Sequence, residues 1–206
     1  MSAIICCLDL EGVLVPEIWI AVAERTGIEE LRLTTRDIAD YDELMGHRLR
    51  VLDQHGLTLS DIQDVIATLR PLDGALDFLN ELRAKYQVII LSDTFAEFAQ
   101  PLMRQLGWPT LFCHRLEVTD DRIVGYQLRL ADQKRRSVEA LQGLNFTVLA
   151  GGDSFNDLSM LGQADKGVLF CPPDGLPEAH PELPVARDYA TMMAEFDAGA
   201  ELVTGH

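Results

Sequence analysis

The sequence predicts an α/β fold in which a doubly wound, mostly parallel sheet carries a small helical cap domain. Four short apolar runs are continuous rather than alternating, a pattern typical of strands buried on both faces of a parallel sheet. Helical patterns separate these runs, and alternating strands and helices indicate a doubly wound core. The predicted strands are residues 3–8, 88–91, 146–150 and 168–170.

Residues 15–70 interrupt the alternation because their patterns are wholly helical. Helices inserted directly after the first strand predict a cap that folds over the carboxyl edge of the sheet. We therefore expect a core made of residues 1–14 and 71–206. Residues 15–70 are expected to form the cap that determines which ligand is accepted.

Local signals mark the helix ends inside the cap. Two cap helices are expected to end at Gly27 and Gly56, because glycine readily adopts the left-handed conformation that closes a helix. A third is expected to begin at Ser60, where Ser60 and Gln63 have the spacing of a capping box.

The core is expected to hold four further helices and one hairpin. Pro101 lies inside the second of these helices and predicts a kink or a restart, and Gly107 is expected to end it. Two β-rich segments flank Asp120 and Asp121 and predict a hairpin, whereas the tail after residue 172 is poorly patterned. The helical patterns cover residues 73–86 and 95–106 and begin near Asp132 and Phe155.

Composition excludes several classes of function. The 206 residues include 17 basic and 33 acidic side chains, and the net charge of −16 argues against a nucleic-acid partner. No apolar run approaches the roughly 20 residues of a membrane helix. The first apolar run is too short for a signal peptide, since Asp9 and Glu11 interrupt it. We expect a cytoplasmic protein without a membrane partner, acting as a monomer or a homodimer.

Polar and acidic residues follow three predicted strands at the point where each strand ends. Ligand sites in open α/β sheets lie outside the carboxyl ends of the strands, so these residues are expected to converge. Several carboxylates in one crevice repel each other, and a divalent cation relieves that repulsion. Oxygen ligands without His or Cys favour Mg²⁺. The residues concerned are Asp9, Glu11, Ser92, Asp93, Asp153 and Asp157.

Taken singly, these residues have ordinary structural explanations. Asp9 suits a turn, Ser92 suits a helix cap, and Lys134 suits a solvated helix face. Asp153 and Asp157 suit the start of a helix, where an acid complements the helix dipole. Chance is a poor explanation of their order after successive strands.

That order resembles the four motifs of the haloacid-dehalogenase-like phosphohydrolases, and the match covers the whole chain. The motifs are Asp-x-Glu-Gly-Val from Asp9, Ser92, Lys134, and Gly-Asp-x-x-x-Asp from Gly152. The helical insertion after the first motif resembles phosphoserine phosphatases. Two runs most resemble the bifunctional type, which also transfers the phosphoryl group to homoserine. They are Asp-Leu-Glu-Gly-Val-Leu-Val-Pro-Glu-Ile-Trp from Asp9 and Leu-Ser-Asp-Thr-Phe from Leu91.

The resemblance implies a role for each motif. Asp9 is the expected nucleophile, which forms an aspartyl-phosphate. Mg²⁺ is expected to be held by Asp9, Asp153 and the main-chain carbonyl of Glu11. Ser92 and Lys134 are expected to bind the phosphoryl oxygens.

Three neighbouring residues are expected to support this centre. Asp157 is expected to orient Lys134 or the water shell of the metal. Asn156 is placed to reach the phosphate or its leaving oxygen. Gly12 is expected to let the backbone amides close on the phosphoryl group.

Two positions depart from the superfamily pattern. The acid/base position is usually Asp and is Glu11 here, which moves the carboxyl by about one bond length. The glycine that usually follows the serine of the second motif is Asp93. Asp93 is open to contact with the substrate amine or to capping of the following helix, and capping is favoured.

The resemblance to phosphoserine phosphatases implies two substrate-binding charges, an acid soon after the first motif, matched by Glu17, and an arginine on a cap helix, matched by Arg48. Glu17 suits an ammonium group and Arg48 suits a carboxylate, which together fit a free amino acid. The resemblance therefore implies O-phosphoserine as the substrate, with homoserine as a further acceptor. The alternative is that both are solvated charges and that the ester is a nucleotide or sugar phosphate.

Other classes of protein fit the sequence less well. A phospho-accepting receiver domain places its acceptor Asp after the third strand and has no cap, whereas Asp9 follows the first strand. A non-catalytic relative is disfavoured because Asp9, Lys134 and Asp153 are all present. A Walker-type phosphate loop is absent from the sequence, which argues against an ATP-dependent kinase.

Overall fold

A seven-stranded, mostly parallel sheet forms the centre of the fold. The computed structural model describes residues 3–34, 37–38 and 40–204. The strands are β1 (Ala3–Leu8), β2 (Gln87–Phe95), β3 (Thr110–Thr119), β4 (Arg122–Gln127), β5 (Phe146–Gly152), β6 (Lys166–Phe170) and β7 (Val185–Ala186). Their order in the sheet is β4-β3-β2-β1-β5-β6-β7, and only β4 runs antiparallel to its neighbour. The predicted fold class is confirmed.

Helices cover both faces of this sheet. They are α1 (Ile18–Thr26), α2 (Tyr41–His55), α3 (Leu59–Thr68), α4 (Ala75–Lys85), α5 (Ala96–Gln105), α6 (Gln133–Gly143), α7 (Leu158–Gln163), α8 (Leu176–Ala179) and α9 (Tyr189–Thr204). Short 3₁₀ helices cover Glu29–Arg32 and Phe155–Asp157. Among the helices that the structure describes, none is long and apolar enough to cross a membrane.

Strand β1 occupies the middle of the sheet because its side chains are apolar on both faces. It pairs in parallel with β2 on one side and β5 on the other. Cys6, Cys7 and Leu8 are completely buried, as continuous apolar patterning predicts. The chain therefore leaves the carboxyl end of β1 at the centre of the sheet edge, where Asp9 follows.

Helices α1, α2 and α3 are inserted between β1 and α4. Gly27 and Gly56 have φ of 73° and 65° and close α1 and α2, as predicted. At the neck of the insertion, the N–H of Leu72 donates to the carbonyl of Leu14 at 2.9 Å. This bond joins the chain that enters the insertion to the chain that leaves it. The exact division into cap and core stays a prediction.

The capping box of α3 differs from the prediction. Thr58, not Ser60, is the N-cap, and its hydroxyl accepts from the N–H of Asp61. The carboxylate of Asp61 accepts in return from the N–H of Thr58 at 2.9 Å. Both residue pairs have the required spacing, and Thr58 with Asp61 forms the box because α3 begins one residue earlier, at Leu59.

Gln63 does not belong to the capping box of α3 and contacts helix α5 instead. Helix α5 runs as one continuous helix through Pro101, so the predicted restart is wrong. Proline has no N–H for the carbonyl of Glu97, four residues before it. The side-chain amide of Gln63 donates to that carbonyl at 2.8 Å and so joins α3 to α5.

The β3–β4 hairpin contacts the inserted helices. Its turn residues, Asp120 and Asp121, have φ of 48° and 64°, which confirms the predicted hairpin. Asp121 accepts through its carbonyl from the N–H of Leu59 at 2.8 Å and through Oδ1 from the hydroxyl of Ser60 at 3.0 Å. Further contacts join Arg122 to Asp53 and Tyr126 to Asp42.

Candidate active site

The site is built around Asp9, which directly follows β1. Its N–H donates to the carbonyl of Gly151 at 2.9 Å, so the pairing of β1 with β5 continues to this residue. The side chain is buried, and Oδ1 accepts from the N–H of Leu10 at 2.7 Å. The fold thus fixes this carboxylate at the carboxyl edge of the sheet.

Gly12 makes room for a second carboxylate beside Asp9. Its φ is 77°, and a Cβ at this position would lie 2.5 Å from the carboxylate carbon of Asp153. Glycine satisfies both conditions, since it tolerates positive φ and has no side chain. The motif from β1 and the motif from β5 therefore approach each other through this residue.

Lys134 is a buried cation that joins three acids. Its Nζ lies 2.9 Å from Oδ1 of Asp9, 2.7 Å from Oδ1 of Asp157 and 3.9 Å from Oδ2 of Asp93. Burial alone would lower the pKa of Lys134, but the charges of these carboxylates raise it well above its usual value. Lys134 is therefore an ammonium ion held next to Asp9.

Asp157 fixes that ammonium in place. It is completely buried, and its Oδ2 accepts from the N–H groups of Asp153 and Ser154 at 3.0 Å each. A Cβ on Gly152 would lie 2.4 Å from the Asp157 side chain, so the chain requires glycine there. With Oδ1 on Lys134 and Oδ2 on the backbone, this carboxylate has the geometry of an orienting group.

Three carboxylates could contribute to a metal site. Oxygens of Asp9, Asp153 and Asp157 lie within 4.8 Å of one another. Asp157 is occupied by its own hydrogen bonds, which leaves Asp9 and Asp153 to face a cation. Burial and then the charge of Asp157 raise the pKa of Asp153 to about 7, and burial raises the pKa of Asp9 well above its usual value. A divalent cation would offset this excess negative charge, so the residues fit Mg²⁺.

Ser92 and Asp93 lie where β2 becomes irregular. The register between β2 and β3 shifts between Leu91 and Phe95. Helix α5 begins at Ala96 with Phe95 as N-cap, and no side chain caps it. The expectation that Asp93 caps this helix is wrong, because the strand continues for two residues beyond it.

Asp93 instead contacts two buried polar side chains. Its Oδ1 accepts from Nε2 of Gln133 at 3.2 Å and lies 3.5 Å from Nε2 of His114. Burial alone would raise the pKa of Asp93, but the charge of Lys134 and the hydrogen bonds from His114 and Gln133 lower it to about 2. Asp93 is consequently ionised at neutral pH.

Glu11 and Glu17 lie at the start of α1. Oε2 of Glu11 accepts from the N–H of Ile18 at 2.8 Å, which fixes the carboxyl group at the helix N-terminus. The carboxyl groups of Glu11 and Glu17 share a hydrogen bond. Burial and then the charge of Glu17 raise the pKa of Glu11 to about 8, while Arg48 acts in the opposite direction.

Arg48 approaches the same region from α2. Its Nη2 donates to the carbonyl of Leu33 at 2.9 Å, and its guanidinium lies 4.5 Å above the ring of Trp19. The residue is only 7% exposed, and no residue that the structure describes is a hydrogen-bond partner of its Nε. Arg48 also lines the cavity described below, where a guanidinium suits a carboxylate.

One cavity of about 340 Å³ brings nearly all predicted site residues together. Asp157 is the exception, because it lies behind Lys134. Sequence reasoning missed the contributions of Tyr41, Thr94 and Ser154, which carry no motif signal of their own. The predicted residues that line the cavity are Asp9, Glu11, Gly12, Glu17, Arg48, Ser92, Asp93, Lys134, Asp153 and Asn156.

A second cavity of about 330 Å³ adjoins the first. Tyr41, Asp93, Lys134 and Asn156 line both, so they form the wall between them. His114 and Gln133 line only the second cavity and were not predicted. Asp93 therefore lines both cavities, and its partners His114 and Gln133 line the second.

The fold and this arrangement of acids around a lysine define a class of enzyme. The family model of haloacid dehalogenase-like hydrolases matches residues 5–165, and the chain belongs to this family. The family predicted from the sequence is confirmed.

Two relatives are similar to this chain over almost its whole length. Phosphoserine phosphatase ThrH of Pseudomonas aeruginosa is 60% identical over 193 residues, which cover 93% of this chain and 94% of that protein. A phosphoserine phosphatase of Pseudomonas syringae pv. tomato is 61% identical over 194 residues, covering 93% of this chain and 81% of that protein. A crystal structure of phosphoserine phosphatase in apo form has a TM-score of 0.77 at 21% identity, with 94% of this chain and 98% of that chain covered. The last likeness concerns the fold alone.

Proposed function

We propose that this enzyme is a Mg²⁺-dependent phosphoserine phosphatase that acts through an aspartyl-phosphate on Asp9. The observation that carries the proposal is one cavity lined both by the Asp9 carboxylate, 2.9 Å from Lys134, and by Arg48 of α2. The first pair suits a phosphoryl group and the guanidinium of Arg48 suits a carboxylate. The names of the relatives from Pseudomonas support the same substrate.

The reaction takes two displacements at phosphorus. A carboxylate oxygen of Asp9 attacks phosphorus, and the bond from phosphorus to the serine oxygen breaks. Glu11 gives its proton to the departing serine oxygen. A water molecule then loses a proton to Glu11 and attacks the aspartyl-phosphate, which releases inorganic phosphate and restores the Asp9 carboxylate.

Surrounding residues hold the phosphoryl group. Lys134 lies beside Asp9 and Ser92 lines the same cavity, and they supply a positive charge and a hydroxyl for the phosphoryl oxygens. Asn156 lines the same cavity and is placed for the phosphate or the leaving oxygen. Asp9, Asp153 and the main-chain carbonyl of Glu11 would hold Mg²⁺, whose charge would let an anionic nucleophile approach an anionic ester.

Charges from α1 and α2 select the rest of the substrate. Arg48 is held by Leu33 and Trp19, and it lines the cavity as a positive charge for a carboxylate. Glu17 is exposed at the cavity and supplies a negative charge for an ammonium group. Phosphoserine carries both groups, whereas nucleotide and sugar phosphates carry neither.

We also propose transfer of the phosphoryl group to homoserine. The aspartyl-phosphate is an activated acyl phosphate, and its fate depends on which hydroxyl lies in line with phosphorus. Homoserine is serine with one added methylene, and a pocket discriminates against one methylene by only about 1–3 kcal/mol. Glu11 would accept the proton of its hydroxyl. The resemblance of the sequence to the bifunctional type, which transfers the phosphoryl group to homoserine, supports this activity.

The test of the phosphatase is release of phosphate from phosphoserine, a nucleotide and a sugar phosphate. Phosphoserine is expected to be the preferred ester. Asp9→Asn is expected to abolish turnover, because an amide cannot accept the phosphoryl group, while Asp174→Asn on the surface serves as a matched control. Preference for a nucleotide or sugar phosphate would refute the substrate, and an active Asp9→Asn enzyme would refute the nucleophile.

The test of transfer uses phosphoserine, homoserine and Mg²⁺ without ATP. Phosphorus NMR is expected to show O-phosphohomoserine. Conversion of all phosphoserine to free phosphate at saturating homoserine would show that the enzyme is a phosphatase only.

A further inference from the structure

Asp93 is the acid of the site whose position the reaction does not explain. It lies in the wall between the two cavities, and its side chain is 36% exposed. Nothing in the two displacements requires a third carboxylate near Lys134. An anionic oxygen beside a phosphoryl site has a cost, because it repels phosphate.

The carboxylate of Asp93 is held rigidly. His114 is only 3% exposed, and its Nδ1 accepts from the N–H of Arg129 at 3.1 Å. The ring proton therefore sits on Nε2, which faces Oδ1 of Asp93. Gln133 donates to the same oxygen at 3.2 Å. Two buried donors from β3 and α6 thus fix one oxygen of this carboxylate.

The backbone of Asp93 is fixed as well. The hydroxyl of Tyr41 donates to its carbonyl at 3.2 Å, and the ring of Tyr41 packs edge-on against His114. Three elements, α2, β3 and α6, therefore converge on one residue. Such support holds Oδ2 in a constant place, 3.9 Å from Nζ of Lys134 and beyond hydrogen-bond distance.

Lys134 offsets the charge of Asp93 only in part, because its Nζ lies 3.9 Å from Oδ2 of Asp93. That ammonium already contacts Asp9 and Asp157 at 2.9 and 2.7 Å. Mg²⁺ would offset Asp9 and Asp153, which leaves Asp93 as an anion facing the cavity. A ligand with a phosphoryl group alone meets this repulsion, whereas a ligand that also carries an ammonium group offsets it.

We propose that Asp93, with His114 as its positioning residue, selects phosphate esters that carry an ammonium group and disfavours phosphate ligands without one. Inorganic phosphate, the product, belongs to the disfavoured class, so Asp93 also promotes its release. This inference rests on the proposed function, whose substrate is an ammonium-bearing ester. Asp93 is then a second anionic residue, besides Glu17, that recognises the ammonium group, and His114 holds Asp93 in position.

Two esters of equal length test the selection. Phosphoethanolamine carries an ammonium group where 2-hydroxyethyl phosphate carries a hydroxyl. Asp93→Asn is expected to lower the ratio of their kcat/KM values by about fivefold to tenfold, since one charge-assisted contact is lost at a partly exposed site. A structural defect would lower both values equally. Asp132→Asn, an acid that lines the second cavity and pairs with Arg135, is the matched control.

His114 variants test the positioning role. His114→Phe removes the Nε2 donor and is expected to lower the same ratio. His114→Gln retains a donor for Asp93 and an acceptor for the N–H of Arg129, and is expected to keep the ratio within about twofold of the parent. Should His114→Phe fail to fold, Asp93→Asn decides the selection by itself, and His114→Leu, which also lacks the donor, replaces His114→Phe in the comparison with His114→Gln. A ratio unchanged in Asp93→Asn, or equal in the two His114 variants, would overturn the corresponding part.

Phosphate binding gives a readout that needs no turnover. Calorimetric titration of inorganic phosphate in the presence of Mg²⁺ is expected to show tighter binding to Asp93→Asn than to the parent, by about fivefold. Equal or weaker binding would contradict the proposed repulsion. An enzyme that fails on phosphoserine but retains both differences would refute the proposed substrate and leave the role of Asp93 intact.

Discussion

Removal of the Arg48 side chain is expected to impair the enzyme selectively, according to whether the ester carries a carboxylate. The guanidinium has a 2.9 Å hydrogen bond to the carbonyl of Leu33 and a contact with Trp19, and Arg48 lines the cavity. One charge-assisted bond from the guanidinium to a carboxylate contributes about 1.5–3 kcal/mol. Arg48→Ala should therefore lower kcat/KM for phosphoserine by about 10-fold to 150-fold relative to an ester without the carboxylate.

The assay compares phosphoserine with phosphoethanolamine, which lacks only the carboxylate. Loss of packing on Trp19 affects both esters and cancels in the ratio, so the ratio isolates the ligand contact. Arg50→Ala, an exposed arginine two residues further along α2, is the control for loss of charge. Equal losses for both esters would show that Arg48 supports the fold or the phosphate rather than a carboxylate.

Three other perturbations test the metal site and the packing. Excess chelator is expected to stop phosphate release and added Mg²⁺ to restore it; full activity in chelator would refute the metal requirement. Gly12→Ala, which places a Cβ against Asp153 at positive φ, is expected to raise the Mg²⁺ concentration for half-maximal activity by about tenfold or more, and an unchanged Mg²⁺ titration would contradict this. Gln63→Leu leaves the carbonyl of Glu97 without its donor and is expected to cost about 0.5–1.5 kcal/mol, seen as a lower midpoint of thermal unfolding by about 1–6 °C. An unchanged midpoint would show that water satisfies the carbonyl equally well.

The sheet and its catalytic edge could be predicted because both depend on local sequence patterns. Continuous apolar runs identified β1 and β5, and the residues directly after them form the cavity wall. Parallel strands bring their carboxyl ends to one edge, so Asp9 and Asp153 could be placed near each other without any knowledge of long-range contacts.

What could not be predicted depends on contacts between distant segments. Asp93 was expected to cap a helix, but its partners come from β3 and α6, which no local pattern connects to it. Gln63 matched a capping spacing by coincidence and in fact satisfies a carbonyl of α5. Helix α9 was missed because its sequence shows no clear polar face, and its Met192 and Phe196 are completely buried.

The hydrogen bond between Leu14 and Leu72 has a consequence for how such enzymes diverge. It brings the two ends of a segment of more than fifty residues side by side. The insertion is therefore a closed loop whose two ends lie a fixed distance apart where they join the core. The entropy of closing a loop grows only slowly with its length, by about 0.6 kcal/mol for each doubling. Segments of quite different size can therefore occupy this position while the strand that carries Asp9 stays in register. Recombination at this junction offers a direct route to enzymes with new substrates on an unchanged phosphoryl-transfer centre.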